Sequence, residues 1–194
     1  MCELQSPLYV VRHGISSGNE PDSSLTLEGK EQAKQVANFL LNKLGSSQVI
    51  IVSSPYKRAK QTACEISRTM GIEYSEEIRL KERELGDTSN IQDIWQEIEK
   101  DFENEERKFP EGESNLEVSN RIREMLTDWK SNGVIGEDSP IIVITHRITM
   151  TLLMQQFDST IGYNHCRNMS NPDVYIVNST MTDEKVERIW QSPI

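Results

Sequence analysis

The sequence predicts an α/β protein: a three-layer sandwich with a mostly parallel central sheet, one antiparallel edge strand and a helical insertion over the site. Two observations carry this. Three short runs, residues 8–11 (LYVV), 49–52 (VIIV) and 141–144 (IIVI), are continuously apolar and rich in β-branched side chains. That is the pattern of strands buried on both faces. Helical spacing follows each run, and strand–helix–strand alternation builds parallel sheets.

The elements follow in order. After the first strand, LTLEGKEQAKQVANFLLNKLG (25–45) reads as a helix with Thr26 as N-cap and Gly45 as stop. After the second, residues 53–71 read as a helix with Ser54 as cap, Pro55 at the first helical position and Gly71 as stop. Residues 91–109 place Ile91, Ile94, Trp95, Ile98 and Phe102 on one helical face, with acidic side chains on the other. Ser114 and Glu117 form a capping box for the next helix. The third strand leads into ITMTLLMQQF, another helix, and DVYIVNST and EKVERIW read as two strands joined by a turn at residues 181–184. No repeat or linker interrupts the chain. One domain is expected over 1–194, with 84–112 as part of an insertion or cap.

The 194 residues suffice for a substantial core, and 27% charged with 36% hydrophobic residues is a soluble globular composition. No apolar run approaches the roughly 20 residues of a membrane helix. The start, MCELQSPLYVV, has no signal-peptide layout, and Cys2 excludes the myristoylation pattern. Cys2, Cys64 and Cys166 are odd in number without C-x-x-C spacing, which suits a reduced, cytoplasmic protein. His and Cys residues are scattered singly, so no metal site is expected. A net charge of -10 argues against nucleic acid and anionic membranes as partners. An anionic small substrate then requires basic residues gathered locally.

They are gathered at strand ends. Residues 8–11 run into Arg12-His13-Gly14, residues 49–52 into SSPYKR with Arg58, and residues 141–144 into Thr145-His146-Arg147. Parallel strands bring these ends to one edge, where open α/β sheets bind ligands. Arg58 joins them because helical side chains lean toward the N-terminus. Taken singly, Arg12-His13-Gly14 is a strand end with a turn glycine, His146 a core histidine and SSPYKR a helix start. Together they are a site for an anion, since arginine matches phosphate with paired N–H donors. A neutral histidine can attack phosphorus, and neighbouring positive charge disfavours its protonation. Gly14 lets the chain turn close to a ligand.

The motifs resemble the histidine phosphatase superfamily, with its phosphoglycerate-mutase-like fold. VVRHGISSGN is similar to the signature R-H-G-x-[ST]-x-x-N, ending at Asn19. LTLEGKEQA, SSPYKRAKQTA, LKERELG, FPEGES with Arg121, and IIVITH resemble further family blocks in the family's order. The resemblance implies His13 as nucleophile, with Arg12, Arg58 and His146 binding the phosphoryl group. It implies Glu82 as the acid for the leaving oxygen, where the residues alone show a charge cluster of Glu82 and Glu84. Asn19 and Ser16 would contact phosphate, and no metal or organic cofactor is implied. The family commonly has glycine where this chain has Arg147. That side chain either faces substrate as an extra cation or turns outward, and competition for space favours outward. Trp95, His165 and Cys166 receive structural roles.

The expected function is phosphomonoester hydrolysis through a phosphohistidine, on a phosphorylated small molecule. The alternatives are a 2,3-bisphosphoglycerate-dependent phosphoglycerate mutase and a non-catalytic phosphate-binding protein. The physiological substrate and the oligomeric state are not legible in the sequence.

Overall fold

The computed structural model describes residues 6–45, 47–135, 139–178 and 186–192. The apolar runs become strands β1 (Leu8–Arg12), β2 (Ile50–Ser53) and β4 (Ile141–Thr145). A short β3 (Tyr74–Glu76), β5 (Asp173–Val177) and β6 (Val186–Gln191) complete a six-stranded sheet in the order β3-β2-β4-β1-β5-β6. β1 to β4 run parallel, and β5 is antiparallel to both β1 and β6, which gives the expected antiparallel edge. The turn expected at 181–184 lies outside the described residues.

Side-chain alternation explains the two covered faces. Tyr9, Val11, Ile142 and Ile144 pack under α1 (Leu27–Leu44) and α2 (Lys57–Met70), where Ala37, Ala59 and Ala63 keep the interface thin. Leu8, Val10, Ile141 and Val143 face the opposite way, toward α4 (Asn115–Ser131) and α5 (Arg147–Gln155). α3 (Ile94–Glu103) precedes α4 in the chain, and a short α6 (Tyr163–Arg167) precedes β5.

Thr26 caps α1 through Gly29 N, and the Ser114–Glu117 capping box opens α4 as expected. Two helix starts differ. α2 begins at Lys57, not at Ser54-Pro55. The Ser54 amide still extends the ladder to Ile144 O, and Lys57 N is satisfied by Pro21 O rather than by a side-chain cap. α3 begins at Ile94, where the Asp93 carboxylate accepts from Trp95 N and Gln96 N, so Ile91 precedes the helix. β3, α6 and a 3-10 turn at Ile78–Leu80 were not expected.

The topology positions a site at one edge. Arg12 pairs with Thr145, and the ladder continues one residue further through His13 N to Thr145 O at 3.2 Å. Ser54 follows β2 at the same level. Because β5 runs the other way, Asp173 lies opposite Arg12, and residues 169–172 reach this edge too.

Candidate active site

At that edge opens a cleft of about 840 Å³. Arg12, His13, Arg58, Glu82 and Arg147 line it, with Tyr56 and Asn171. One wall comes from residues 84–98, including Leu85, Gly86, Ile94 and Trp95.

His13 sits with its ring buried and its protons assigned by its partners. Nδ1 lies 2.6 Å from Gly14 O, a pure acceptor, so Nδ1 carries hydrogen. Arg58 Nε donates to Nε2 at 3.1 Å, so Nε2 presents a lone pair. Burial first, then Arg12 and Arg58, hold the His13 pKa well below its ordinary value. This is the neutral tautomer, with the Nε2 lone pair directed at Arg58 Nε.

The cations around it are held by carbonyls, not carboxylates. Arg12 Nη1 donates to Met169 O and Ser170 O, both at 2.9 Å, and its buried Nε has no partner. Arg58 Nη1 donates to Glu20 O at 2.8 Å, and its guanidinium lies 5.1 Å from the Tyr56 ring centroid. Among the described residues neither arginine makes an ion pair, whereas Arg79, Arg83, Arg107, Arg121 and Arg188 all do. Desolvation lowers the pKa of both Arg12 and Arg58. Desolvated cations without a direct ion pair favour an anionic ligand.

His146 stands against His13, with ring centroids 5.0 Å apart, but is fully buried and not on the cleft wall. Nε2 is 2.7 Å from Ser54 Oγ, and Nδ1 is buried without a partner. Burial, then His13 and Arg58, lower its pKa well below the ordinary value. The Ser54 hydroxyl, expected as a helix cap, thus meets His146 while also accepting from Tyr56 N just before α2 at 3.3 Å.

Two buried neutral histidines tie stability to pH. The unfolded chain takes up protons as pH falls below about 6.5, and the folded state, with lowered pKa values, does not. Their contribution is complete above pH 6.5 and is lost as pH falls toward the folded values. Urea unfolding between pH 7.5 and 5.5 is expected to show stability falling by up to about 1.4 kcal/mol per pH unit per histidine. A His13→Asn/His146→Asn protein should lose that slope, and a flat wild-type profile would contradict the buried neutral rings.

Glu82 is placed by the helix that His146 leaves without a side-chain cap. Oε2 accepts from Ile148 N at 3.2 Å, and Oε1 from Thr149 N at 3.0 Å and Arg83 N at 2.9 Å. The Glu82 carboxyl group thus satisfies orphan first-turn donors of α5 from a distant loop. Glu84 also borders the cleft, but it pairs with Lys81 at the surface.

Arg147 differs from the outward orientation expected. It is half-buried on the cleft wall, donates to Met169 O at 3.1 Å, and stacks 4.8 Å from the Trp95 ring centroid. Arg167 lies 4.5 Å from the same centroid. The aromatic shelf and the shared carbonyl turn the guanidinium inward. Trp95 packs against the core, as its structural role implies, and also lines the cleft wall. His165 Nδ1 accepts from Gly162 N, and Cys166 is buried with its thiol pushed up to about 11, so both keep structural roles.

The loop after β1 is held by motif residues. Gln32 accepts from Ile15 N, Gln61 from Leu25 N and Thr62 from Gly14 N. Gly14 has a different reason from the one expected. A Cβ there would meet Gly29 O at 2.5 Å, so glycine admits α1 rather than a ligand, and Gly14 does not line the cleft. Ser16 and exposed Asn19 do line it, but the Ser16 hydroxyl is committed to Gly18 O at 2.9 Å. Asn171, whose amide donates to His13 O at 3.0 Å, was missed, as was Tyr56. Asn171 was findable: residues just before an antiparallel neighbour of β1 must arrive at the end of β1.

The family model described as "Histidine phosphatase superfamily (branch 1)" matches residues 8–191. A protein named probable phosphoglycerate mutase GpmB, from Escherichia coli O1:K1 / APEC, is 30% identical over 162 residues, covering 76% of this chain and 72% of that protein. A mycobacterial glucosyl-3-phosphoglycerate phosphatase solved with VO3 superposes with a TM-score of 0.74 at 21% identity, over 96% of this chain and 99% of that one. A phosphoserine phosphatase mutant from Entamoeba histolytica, complexed with phosphoserine, gives 0.70 at 21% identity, over 95% of each chain.

Proposed function

The chain belongs to the histidine phosphatase superfamily, and from that premise we propose that it hydrolyses phosphomonoesters through a phosphohistidine on His13. The observation that carries the reading is the His13 Nε2 lone pair, set beside two arginines that form no ion pair among the described residues and are held by backbone carbonyls. The solved phosphatases of like fold support it. Unpaired Cys64 and Cys166 suit a reduced, cytoplasmic setting.

The steps follow from the atoms. An ester phosphate enters between Arg12 and Arg58, and Arg58 Nε exchanges His13 Nε2 for a phosphoryl oxygen. Nε2 attacks phosphorus, and the P–O bond to the alcohol breaks. The arginines offset charge on the equatorial oxygens, and the hydrogen bond from Nδ1 to Gly14 O stabilises the cationic ring. His146 holds His13 edge-on. Glu82, protonated at the start of the cycle, gives the leaving oxygen a proton from Oε2, the oxygen with a single backbone donor, and becomes the carboxylate. Glu82 then takes a proton from water, which attacks phosphorus, releasing phosphate and restoring neutral His13. Residues 84–112 act as the cap that shields these steps.

Glu82→Gln separates the acid from the charge. kcat on an alkyl phosphate such as glycerol 3-phosphate is expected to fall about 100- to 10,000-fold. With p-nitrophenyl phosphate, whose leaving group needs no proton, the first step should be far less affected. Equal first-step losses on both substrates would remove the acid role.

The name of the Escherichia coli relative favours a second reading, a phosphoglycerate mutase. A panel of phosphomonoesters, assayed for phosphate release with and without 2,3-bisphosphoglycerate, decides. Release independent of that compound is expected. Phosphoglycerate interconversion that requires it, without release, identifies a mutase. Binding without turnover identifies a non-catalytic phosphate-binding protein.

A further inference from the structure

We propose that Arg147 is a specificity-determining residue that binds a second anionic group, carboxylate or phosphoryl, on the substrate whose ester phosphate lies at Arg12 and His13. The inference rests on the phosphate site proposed above and deepens it.

Arg147 and Arg12 share one acceptor. Their Nη atoms lie 3.1 Å and 2.9 Å from Met169 O. The two guanidiniums are therefore neighbours, and an anion at Arg147 is only a few bonds from phosphorus. That separation suits a short phosphorylated acid or a compact bisphosphate.

Arg147 is available for such a ligand. Met169 O is the only hydrogen-bond acceptor it engages among the described residues, and it has no ion pair there. Stacking on Trp95 holds its plane on the cleft wall. A guanidinium fixed by an aromatic face loses less freedom on binding than a mobile one.

The cleft is also polarised. Arg12 and Arg147 share the wall beside residues 169–171, while Glu20 and Glu84 border it near Tyr56 and Arg58. Glu82 lies between, engaged by α5. A second negative charge is repelled from the carboxylate side and drawn to Arg147. The cleft, at about 840 Å³, holds more than a phosphate group. A half-buried cation stands at the first residue of α5.

The test uses matched pairs. 3-Phosphoglycerate and glycerol 3-phosphate differ by a carboxylate, and fructose 1,6-bisphosphate and fructose 6-phosphate by a phosphoryl group. For each pair the ratio of kcat/KM is measured in wild type, Arg147→Gln and Arg147→Lys. Wild type is expected to prefer the member with two anionic groups in at least one pair, and the pair that responds names the second group. R147Q should reduce that preference about tenfold to a hundredfold, the worth of one charge-assisted hydrogen bond. R147K should restore part of it. Dissociation constants from calorimetry, in His13→Ala and in His13→Ala/Arg147→Gln, give the same ratios without turnover. If phosphate is released but no ratio moves, the Arg147 assignment is overturned and the hydrolase stands. If nothing is hydrolysed but the binding ratio collapses with R147Q, the hydrolase reading fails and the assignment stands. No preference in turnover or in binding overturns it.

Discussion

His13→Ala is expected to lower kcat/KM on the protein's best phosphomonoester by at least about ten-thousandfold, with the fold intact. The size follows from covalent catalysis. Without Nε2 no phosphoryl-enzyme forms, and the remaining arginines can only polarise the ester for direct attack by water. The fold should survive because the loop is held elsewhere, by Gln32 on Ile15 N, Thr62 on Gly14 N and Asn171 on His13 O, the last a backbone contact that alanine keeps. Removing the ring also relieves a buried group crowded by Arg12 and Arg58. Steady-state kinetics and a thermal melt check both halves. Retained turnover in a folded H13A protein rules out the nucleophile.

The largest stability effect is expected at Asp101. Its carboxylate is fully buried and receives Arg83 Nη2 at 2.6 Å and Arg107 Nη1. Arg83 is itself fully buried, with Nη1 on Asn115 Oδ1 and Nε without a partner. Asp101→Ala strands that guanidinium in the core, which costs about 3–5 kcal/mol and lowers Tm by about 10 °C in a chain of this size. A Arg83→Met/Asp101→Leu double substitution should recover most of the loss, because the damage is an unpaired charge rather than a missing attraction. The effect reaches the site. Arg83 follows Glu82 directly, and Asp101 belongs to α3, which carries Trp95 and Ile98 into the cleft wall. D101A should therefore raise KM as well as lower Tm. A melt within about 2 °C of wild type would contradict the buried pair.

The sheet was legible because its central strands are buried on both faces and so read as unbroken apolar runs. The site was legible because parallel strands must deliver their ends to one edge. What escaped depends on contacts across the fold. Ser54 looked like a helix cap, since nothing local shows that its amide still belongs to the β2–β4 ladder and its hydroxyl to His146. Glu82 stood out from Glu84 only by motif; its distinguishing feature is a cap on α5, which begins 65 residues later at Arg147. Arg147 was expected to turn outward on grounds of space, but Trp95 supplies a shelf that sequence spacing cannot reveal. Gly14 was correctly marked as special, for a different reason: the backbone of Gly29 passes where a side chain would stand. β3 and α6 are three and five residues long, too short for periodicity to register.

The most direct measurement is on the intermediate. Glu82→Gln protein, mixed with p-nitrophenyl phosphate and quenched in base within milliseconds, should accumulate a phosphoryl adduct, because formation needs no acid while breakdown needs the base. Peptide mapping is expected to place that adduct on His13, stable in alkali and lost in acid. An adduct on any other residue, or phosphate release that never passes through one, would contradict His13 as the nucleophile.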